Sequence, residues 1–214
     1  MRGKIIVFIF AAMIIDLPCC LLTFWQHIQP VDAWLLTHIN QNWSNGFLDT
    51  VLPFMRETLF WIPLYLFLLL FITTNFGIRG WWWVLGVVLC AALSDIISSQ
   101  LIKPNILRVR PCGDEEVSQQ IRFFINYCPH SSSFTSSHAT NHFAQATFFY
   151  MTLRSVMGKW AGLFFVWAFI IAYTQVYVGV HYPFDVFCGS LLGCGIGFLI
   201  GRLFTKRIGL LIVS

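Results

Sequence analysis

The chain has 214 residues, of which 57% are apolar, 17% aromatic and only 10% charged, against about a quarter charged in soluble domains. That balance excludes a soluble globular protein; the formal net charge of +4 mainly records where cations sit relative to a bilayer, and no nucleic-acid partner is expected. Since a helix needs about 20 residues to cross a hydrocarbon core, the apolar runs predict one all-α domain over residues 1–214. It is a polytopic bundle of six transmembrane helices near 4–25, 59–76, 80–102, 139–154, 159–178 and 184–203.

The first run follows Met-Arg-Gly-Lys but lacks a small-residue cleavage site, so residues 1–25 are read as a retained helix and not as a secretory signal. Asp16 inside it has no evident partner. Segment 26–57 mixes aromatic and polar residues without a spanning run. It is predicted to lie along the outer interface with Trp34, Trp43 and Phe47 at headgroup depth. The triplet Trp81-Trp82-Trp83 is expected to anchor the third helix at the inner interface. That helix is expected to run to Leu101, where Pro104 pushes Lys103 out of helical geometry. Asp95 lies two turns earlier on the same face as Lys103. A charge at that depth is costly, so Asp95 is expected to face the bundle interior or to pair with Lys103 or with a hydroxyl of Ser94, Ser98 or Ser99.

The polar loop 112–135 contains a solvated acidic run, Asp114-Glu115-Glu116, and two cysteines, Cys112 and Cys128. These would be bridged in an oxidising compartment and free otherwise. Cys90, Cys188 and Cys194 lie in apolar runs as core filler, and no cysteine or histidine spacing calls for a metal. The fourth helix, short as an apolar run, is predicted to start at Ser136 or Ser137, both good N-caps, where free backbone N–H groups can cradle an anion. His142, four residues after His138, reads equally well as an interhelical hydrogen-bonding residue and as a site residue. The sixth helix opens at Pro183, and Asp185, four residues after His181, can fix that ring's tautomer.

The excess of Lys and Arg on the cytoplasmic side fixes the orientation. With the N-terminus inside, Arg2, Lys4, Arg79, Arg154, Lys159, Arg202, Lys206 and Arg207 are cytoplasmic. Arg56, Lys103, Arg108, Arg110, Arg122 and all six histidines then lie outside, so the active face is predicted to be extracytoplasmic.

Three polar clusters at the edges of apolar runs carry the chemistry: Lys103-x6-Arg110-Pro111, Phe134-Thr135-Ser136-Ser137-His138, and Gly179-Val180-His181-Tyr182-Pro183-Phe184-Asp185. Fixed cations hold phosphate oxygens, and two histidines with a carboxylate provide nucleophile, acid and orienting group for phosphoryl transfer. Over residues 58–203, the catalytic core, the chain resembles the type 2 phosphatidic acid phosphatases, or lipid phosphate phosphatases, which share a core with vanadium haloperoxidases. Their pattern is K-x6-R-P, P-S-G-H and S-R-x5-H-x3-D. The first motif is intact here. The second reads Thr135-Ser136-Ser137-His138, and the third opens with Thr174-Gln175 in place of Ser-Arg.

The resemblance implies that His181 attacks phosphorus to form a phosphohistidine, that Asp185 orients it, and that His138 protonates the leaving oxygen. Lys103, Arg110, Ser136, Ser137 and Gln175 would bind the phosphoryl group, with Arg108, Asp95 and His142 in support. No cofactor or metal is implied, and the partners are the bilayer and a membrane lipid phosphate. Because Gln175 carries no charge where the family has Arg, Arg108 is a candidate to compensate. At this level a hydrolase, a phosphotransferase to an acceptor lipid, and a non-catalytic lipid-phosphate binder all remain open.

Overall fold

Two glycines in left-handed backbone conformations, Gly77 (φ 52°) and Gly158 (φ 58°), decide how the helices are arranged. The computed structural model describes residues 24–210, so the predicted first transmembrane helix, with Asp16, lies almost wholly outside the described residues. Every regular element among those residues is helical. Besides short 3-10 turns, they are in chain order α1 (24–37), a π-turn at His38–Asn42, α2 (Gly46–Met55), α3 (Ile62–Asp95), a π-helical stretch at Ile96–Ile102, α4 (Ser137–Met157), α5 (Leu163–Tyr177) and α6 (Pro183–Arg207).

Among the described residues, three stretches are long and apolar enough to cross a membrane: Thr58–Ile102, Ser137–Tyr177 and Pro183–Arg207. The first two fold back on themselves. A Cβ added to Gly80 would meet the Ile72 carbonyl oxygen at 2.4 Å, whereas eight residues of straight helix span about 12 Å; α3 therefore reverses at Gly77. Likewise Phe149 packs on Phe164 with ring centroids 4.9 Å apart and Tyr150 on Phe165 at 5.5 Å, which places α5 antiparallel to α4 beyond Gly158.

Two expectations about length are corrected. α4 is not short: it has 21 residues, and its Thr140, Gln145, Thr147 and Thr152 are buried against neighbouring helices. Polar residues facing protein lowered its hydropathy without shortening it. The short helix is α5, with 15 residues. At the end of α3, Lys103 keeps right-handed helical dihedrals despite Pro104, and its N–H donates to the Ser98 carbonyl five residues back. The helix widens into π geometry before it ends.

α4 and α6 approach closely because α6 presents Gly189, Gly193 and Gly197 at four-residue intervals, a spacing that lines one helix face with bare backbone. A Cβ on Gly193 would stand 2.3 Å from the Thr140 carbonyl oxygen, and one on Gly197 2.2 Å from that of Ala144. This contact sets the N-terminus of α4, with His138, beside that of α6, with Asp185. Gly193→Val is therefore expected to cost at least about 1–3 kcal/mol, read as a lower unfolding midpoint in detergent. Gly195→Ala, a position with open space around it, should leave the midpoint where it is.

The core of the bundle centres on Trp83, Phe148, Phe149, Trp167 and Ile171. Trp83 does not share the interfacial position expected for the triplet. It is buried, stacks on Phe149 at 5.2 Å and donates from Nε1 to Thr152 Oγ1, while Trp81 and Trp82 are exposed.

A second cluster, including Leu36, Leu52, Val117, Tyr177 and Tyr182, ties α1 and α2 to the polar loop and α5. Segment 26–57 thus does more than line the interface, although Trp34, Trp43 and Phe47 are exposed. Its Asn40 bonds the Tyr177 and Arg122 carbonyls and the Arg122 N–H, and its Asp49 pairs with the Arg122 guanidinium at 2.9 Å. The loop is closed by a Cys112–Cys128 disulfide with Cα atoms 5.8 Å apart. Asp114 is not merely solvated, since its carboxylate accepts from the Glu116 and Val117 N–H groups.

Candidate active site

The loop after Lys103 returns over the open ends of α4 and α6, and residues 106–110 run beside 131–133. Ser133 N–H donates to the Arg108 carbonyl at 2.8 Å, and Arg108 N–H to Ser132 Oγ at 3.2 Å. This pairing sends the side chains of Arg108 and Arg110 down into the protein, where both are buried. They end in different surroundings.

Arg110 reaches the ring of His181. Its Nη1 stands 3.1 Å from His181 Nε2 and donates to the Val180 carbonyl, while Nε donates to the Ser131 carbonyl at 2.8 Å. An arginine can only donate, so Nε2 is the acceptor and the proton of the neutral ring sits on Nδ1. Nδ1 faces Ser133 Oγ at 3.5 Å and Asp185 Oδ2 at 3.7 Å, and Ser133 Oγ donates to that carboxylate at 2.5 Å. The expected contact of Asp185 with the ring is therefore longer than a hydrogen bond, and Ser133 bridges it. Nothing in the run Ser131-Ser132-Ser133 distinguished Ser133 in the sequence.

Asp185 is fully buried and saturated with donors. Besides Ser133, it accepts from Arg108 Nη1 at 2.6 Å and from the Tyr182 N–H at 3.0 Å. Arg108 also pairs with Asp32 of α1 at 2.7 Å and donates to Gln29 Oε1, and its guanidinium lies over the rings of Trp25 and Tyr182 at 4.4 and 4.1 Å. Its fork is occupied by two carboxylates, so Arg108 holds Asp185 and does not replace the charge absent at position 175. Asp32, which the sequence did not single out, also accepts from the Phe184 N–H at the start of α6. Burial pushes its carboxyl above the ordinary carboxylate range, although Arg108 opposes the shift.

Gln175 does not turn its amide toward the site. It is fully buried, and its Nε2 donates to the Ile171 carbonyl one turn back. Its contribution is through backbone, because its carbonyl receives the N–H groups of Val180 and His181 and so shapes the turn that carries the ring.

Ser136 caps α4 as expected and donates its N–H to the Asp185 carbonyl at 3.2 Å, while Ser137 Oγ is engaged with Ser99 Oγ at 3.0 Å. His138 and Lys103 stand within electrostatic range of His181. His142 follows one turn after His138: its Nδ1 lies 2.8 Å from the His138 carbonyl, its ring lies parallel to that of His138 with centroids 6.3 Å apart, and it packs edge-on to Trp167. Asp95 is exposed instead of facing the interior and accepts from Ser99 Oγ at 2.9 Å, one of the partners considered for it.

Burial lowers the His181 pKa to about 4, against the pull of Asp185 and with the help of Arg110. Burial and the neighbouring Arg110 likewise lower Lys103 to about 8. At neutral pH the ring is thus uncharged and the lysine cationic. Among the described residues, no group of three or more His, Cys, Asp or Glu side chains is gathered as a metal ion would require.

A neutral histidine with an oriented ring, a second histidine nearby and unpaired cations at the end of membrane-spanning helices is the constellation of a membrane-bound lipid phosphatase. The chain belongs to the PAP2 superfamily, whose family model matches residues 80–208.

Curated relatives include a lipid A 4'-phosphatase of Bacteroides thetaiotaomicron, 28% identical over 171 residues, which span 78% of this chain and 74% of that protein. An undecaprenyl-diphosphatase of Sulfolobus acidocaldarius is 28% identical over 172 residues, 79% and 75% of the two chains. Among solved structures, a PAP2-type phosphatidylglycerolphosphate phosphatase of Bacillus subtilis has the same fold, with a TM-score of 0.64 at 20% identity over 90% of this chain and 98% of that one. Aquifex aeolicus LpxE gives 0.57 at 25% identity over 78% and 93%.

Proposed function

We propose that the protein hydrolyses a phosphomonoester or diphosphate of a membrane lipid through a phosphohistidine on His181. The observation that carries this reading is the chain Arg110–His181–Ser133–Asp185, which leaves the Nε2 lone pair facing a guanidinium and its proton on the far nitrogen. On substrate entry, Arg110 shifts its donation from Nε2 to a phosphoryl oxygen. Nε2 then attacks phosphorus, the bond from phosphorus to the bridging oxygen breaks, and His138 gives that oxygen a proton. Water attacks the phosphohistidine with His138 now taking its proton, the P–N bond breaks, and orthophosphate leaves. Lys103, Arg110 and the first N–H groups of α4 stabilise the charge that builds on the phosphoryl oxygens.

The site faces the extracytoplasmic side of a bacterial inner membrane. Arg79, Arg154, Lys159, Arg202, Lys206 and Arg207 lie at the opposite ends of the helices, as the excess of cytoplasmic cations requires. The Cys112–Cys128 bridge suits an oxidising compartment. With the N-terminal apolar run as one crossing and the five helical segments from Thr58 to Arg207 as the others, both termini are cytoplasmic.

The test is phosphate release by the detergent-purified protein from phosphatidate and from a polyprenyl diphosphate. It is paired with acid and base stability of the label trapped on the protein after rapid quench. An acid-labile, base-stable label identifies phosphohistidine, and release without such a label would remove that intermediate. The free-enzyme profile of kcat/KM should fall at low pH, near pH 4, as His181 takes up a proton, and should carry an alkaline limb near pH 8, as Lys103 loses one, in addition to the limb set by loss of the His138 proton. Lys103→Arg should remove the alkaline limb while retaining activity. A limb unmoved by that change would belong to another group.

A further inference from the structure

The two oxygens of Asp185 are held by different groups. Oδ1 takes Arg108 Nη1 at 2.6 Å, whereas Oδ2 takes Ser133 Oγ at 2.5 Å and the Tyr182 N–H at 3.0 Å and faces His181 Nδ1 at 3.7 Å. A guanidinium left to itself grips a carboxylate with two parallel N–H groups. Here the fork is split. Nη2 is drawn away to Asp32 Oδ2 at 2.7 Å and Gln29 Oε1 at 2.8 Å, and the buried Nε makes no hydrogen bond.

The groups that draw it away come from one face of α1. Trp25, Gln29 and Asp32 follow one another at steps of four and three residues, and all three meet Arg108, Trp25 with its ring 4.4 Å from the guanidinium carbon. α1 lies outside the stretch matched by the family model, residues 80–208. Asp32 is nonetheless buried as deeply as the arginine. Since Asp185 alone would neutralise Arg108, a second buried carboxylate carries a desolvation cost with no charge left over to offset it. Its other oxygen, Oδ1, accepts the Phe184 N–H at 2.9 Å, so Asp32 is fixed relative to the helix turn that carries Asp185.

We infer that Asp32 is a positioning residue for phosphoryl transfer: by occupying the second arm of Arg108 it keeps that arginine on Oδ1 of Asp185, which leaves Oδ2 to Ser133 and, through Ser133, to His181. This inference rests on the proposed role of His181 as nucleophile. Without the Asp32 charge the guanidinium turns to grip both oxygens of Asp185. Ser133 Oγ then loses its acceptor, and the ring of His181 loses the contact that holds its Nδ1 side in place and Nε2 toward phosphorus. Asp32 itself touches neither the substrate nor the reacting atoms; it acts through Arg108.

The experiment compares Asp32→Asn, Asp32→Glu, Ser133→Ala and the double variant Asp32→Asn/Ser133→Ala with the wild-type full chain in detergent, on phosphatidate and on farnesyl diphosphate. Asp32→Asn should lower kcat on both lipids roughly ten- to a hundredfold, the scale of one lost charge-assisted hydrogen bond. KM and competitive inhibition by orthophosphate should change little, because Lys103 and Arg110 are untouched. Asp32→Glu, which restores the charge, should recover part of the lost kcat. Once Ser133→Ala has removed the bridge, adding Asp32→Asn should cost less than about threefold more, since the two changes break one link. A residue that merely ties α1 to the bundle would give losses that multiply. That multiplication, an unchanged kcat in Asp32→Asn, or a loss confined to KM would each overturn the inference. Should Asp32→Asn not fold, the same cycle is read with Gln29→Met, which takes an acceptor from the same Nη2: a fall in kcat that disappears in the Ser133→Ala background supports the inference, and an unchanged kcat overturns it. If the wild type released no phosphate from either lipid, or if His181→Ala remained active, the failure would lie in the proposed function.

Discussion

His181→Ala is expected to abolish phosphate release on every lipid substrate, by a factor of at least about 10³ and with no phosphorylated protein trapped, because a missing nucleophile has no substitute in the site. The geometry makes this a loss of chemistry and not of folding. The ring is buried, but its bonds to Arg110 and Ser133 are single contacts at 3.1 and 3.5 Å. Both partners also keep other bonds, Arg110 to Ser131 and Val180, Ser133 to Asp185. The variant should therefore still bind vanadate and still unfold cooperatively. His138→Ala should remain measurably active, with a larger loss on alkyl esters than on diphosphates, since a phosphate leaving group needs less help from an acid. Phosphate release by His181→Ala at the wild-type rate would end the covalent mechanism.

The second large effect belongs to Arg108, and it is an effect on stability. Its guanidinium is 4% exposed and separates Asp32 from Asp185, at 2.7 and 2.6 Å. Arg108→Met leaves two buried carboxylates confronting each other without a cation. Breaking a buried ion pair from one side costs about 3–5 kcal/mol, so the unfolding midpoint in detergent should fall steeply. Adding Asp32→Asn removes one of the two charges and should restore part of the midpoint, but not the activity, because Asp185 would still lack the donor that orients it. Arg108→Met with an unchanged midpoint and only a raised KM would instead make Arg108 a ligand of the substrate.

These two arginines mark the limit of what was legible in the chain. Arg108 and Arg110 are two residues apart in one extended stretch and chemically identical, so spacing alone selects Arg110 by the motif and leaves Arg108 as a spare cation. Only the folded protein shows that one faces His181 while the other is clamped between Asp32 and Asp185, 76 and 77 residues away. Gln175 fails for the same reason. Its place in the motif predicted a phosphate ligand, but its helix turns the amide onto the Ile171 carbonyl. Ser133 and Asp32 were missed because a serine in a serine run and an aspartate in a mixed segment carry no signal until distant backbone brings them to Asp185.

Local properties were readable in the sequence because they depend on near neighbours: the apolar runs, the Ser136 cap of α4, the Pro183 start of α6 and the four-residue step from His181 to Asp185. The breaks near 77 and 158 could be approached in the same way, since a run too long for one bilayer crossing must turn. What the chain could not decide alone was which polar side chains inside those runs face protein. Thr140 and Gln145 depressed the hydropathy of α4 yet are buried, whereas Asp95, expected either to face the interior or to be paired, is exposed and paired with Ser99 Oγ. Hydropathy adds residues one at a time and carries no direction. The direction comes from the glycine face of α6, which draws α4 close enough for the Ser136 N–H at its start to reach the Asp185 carbonyl, and from the loop disulfide and the Asn40–Arg122 clasp, which hold the loop that carries Arg110 to His181.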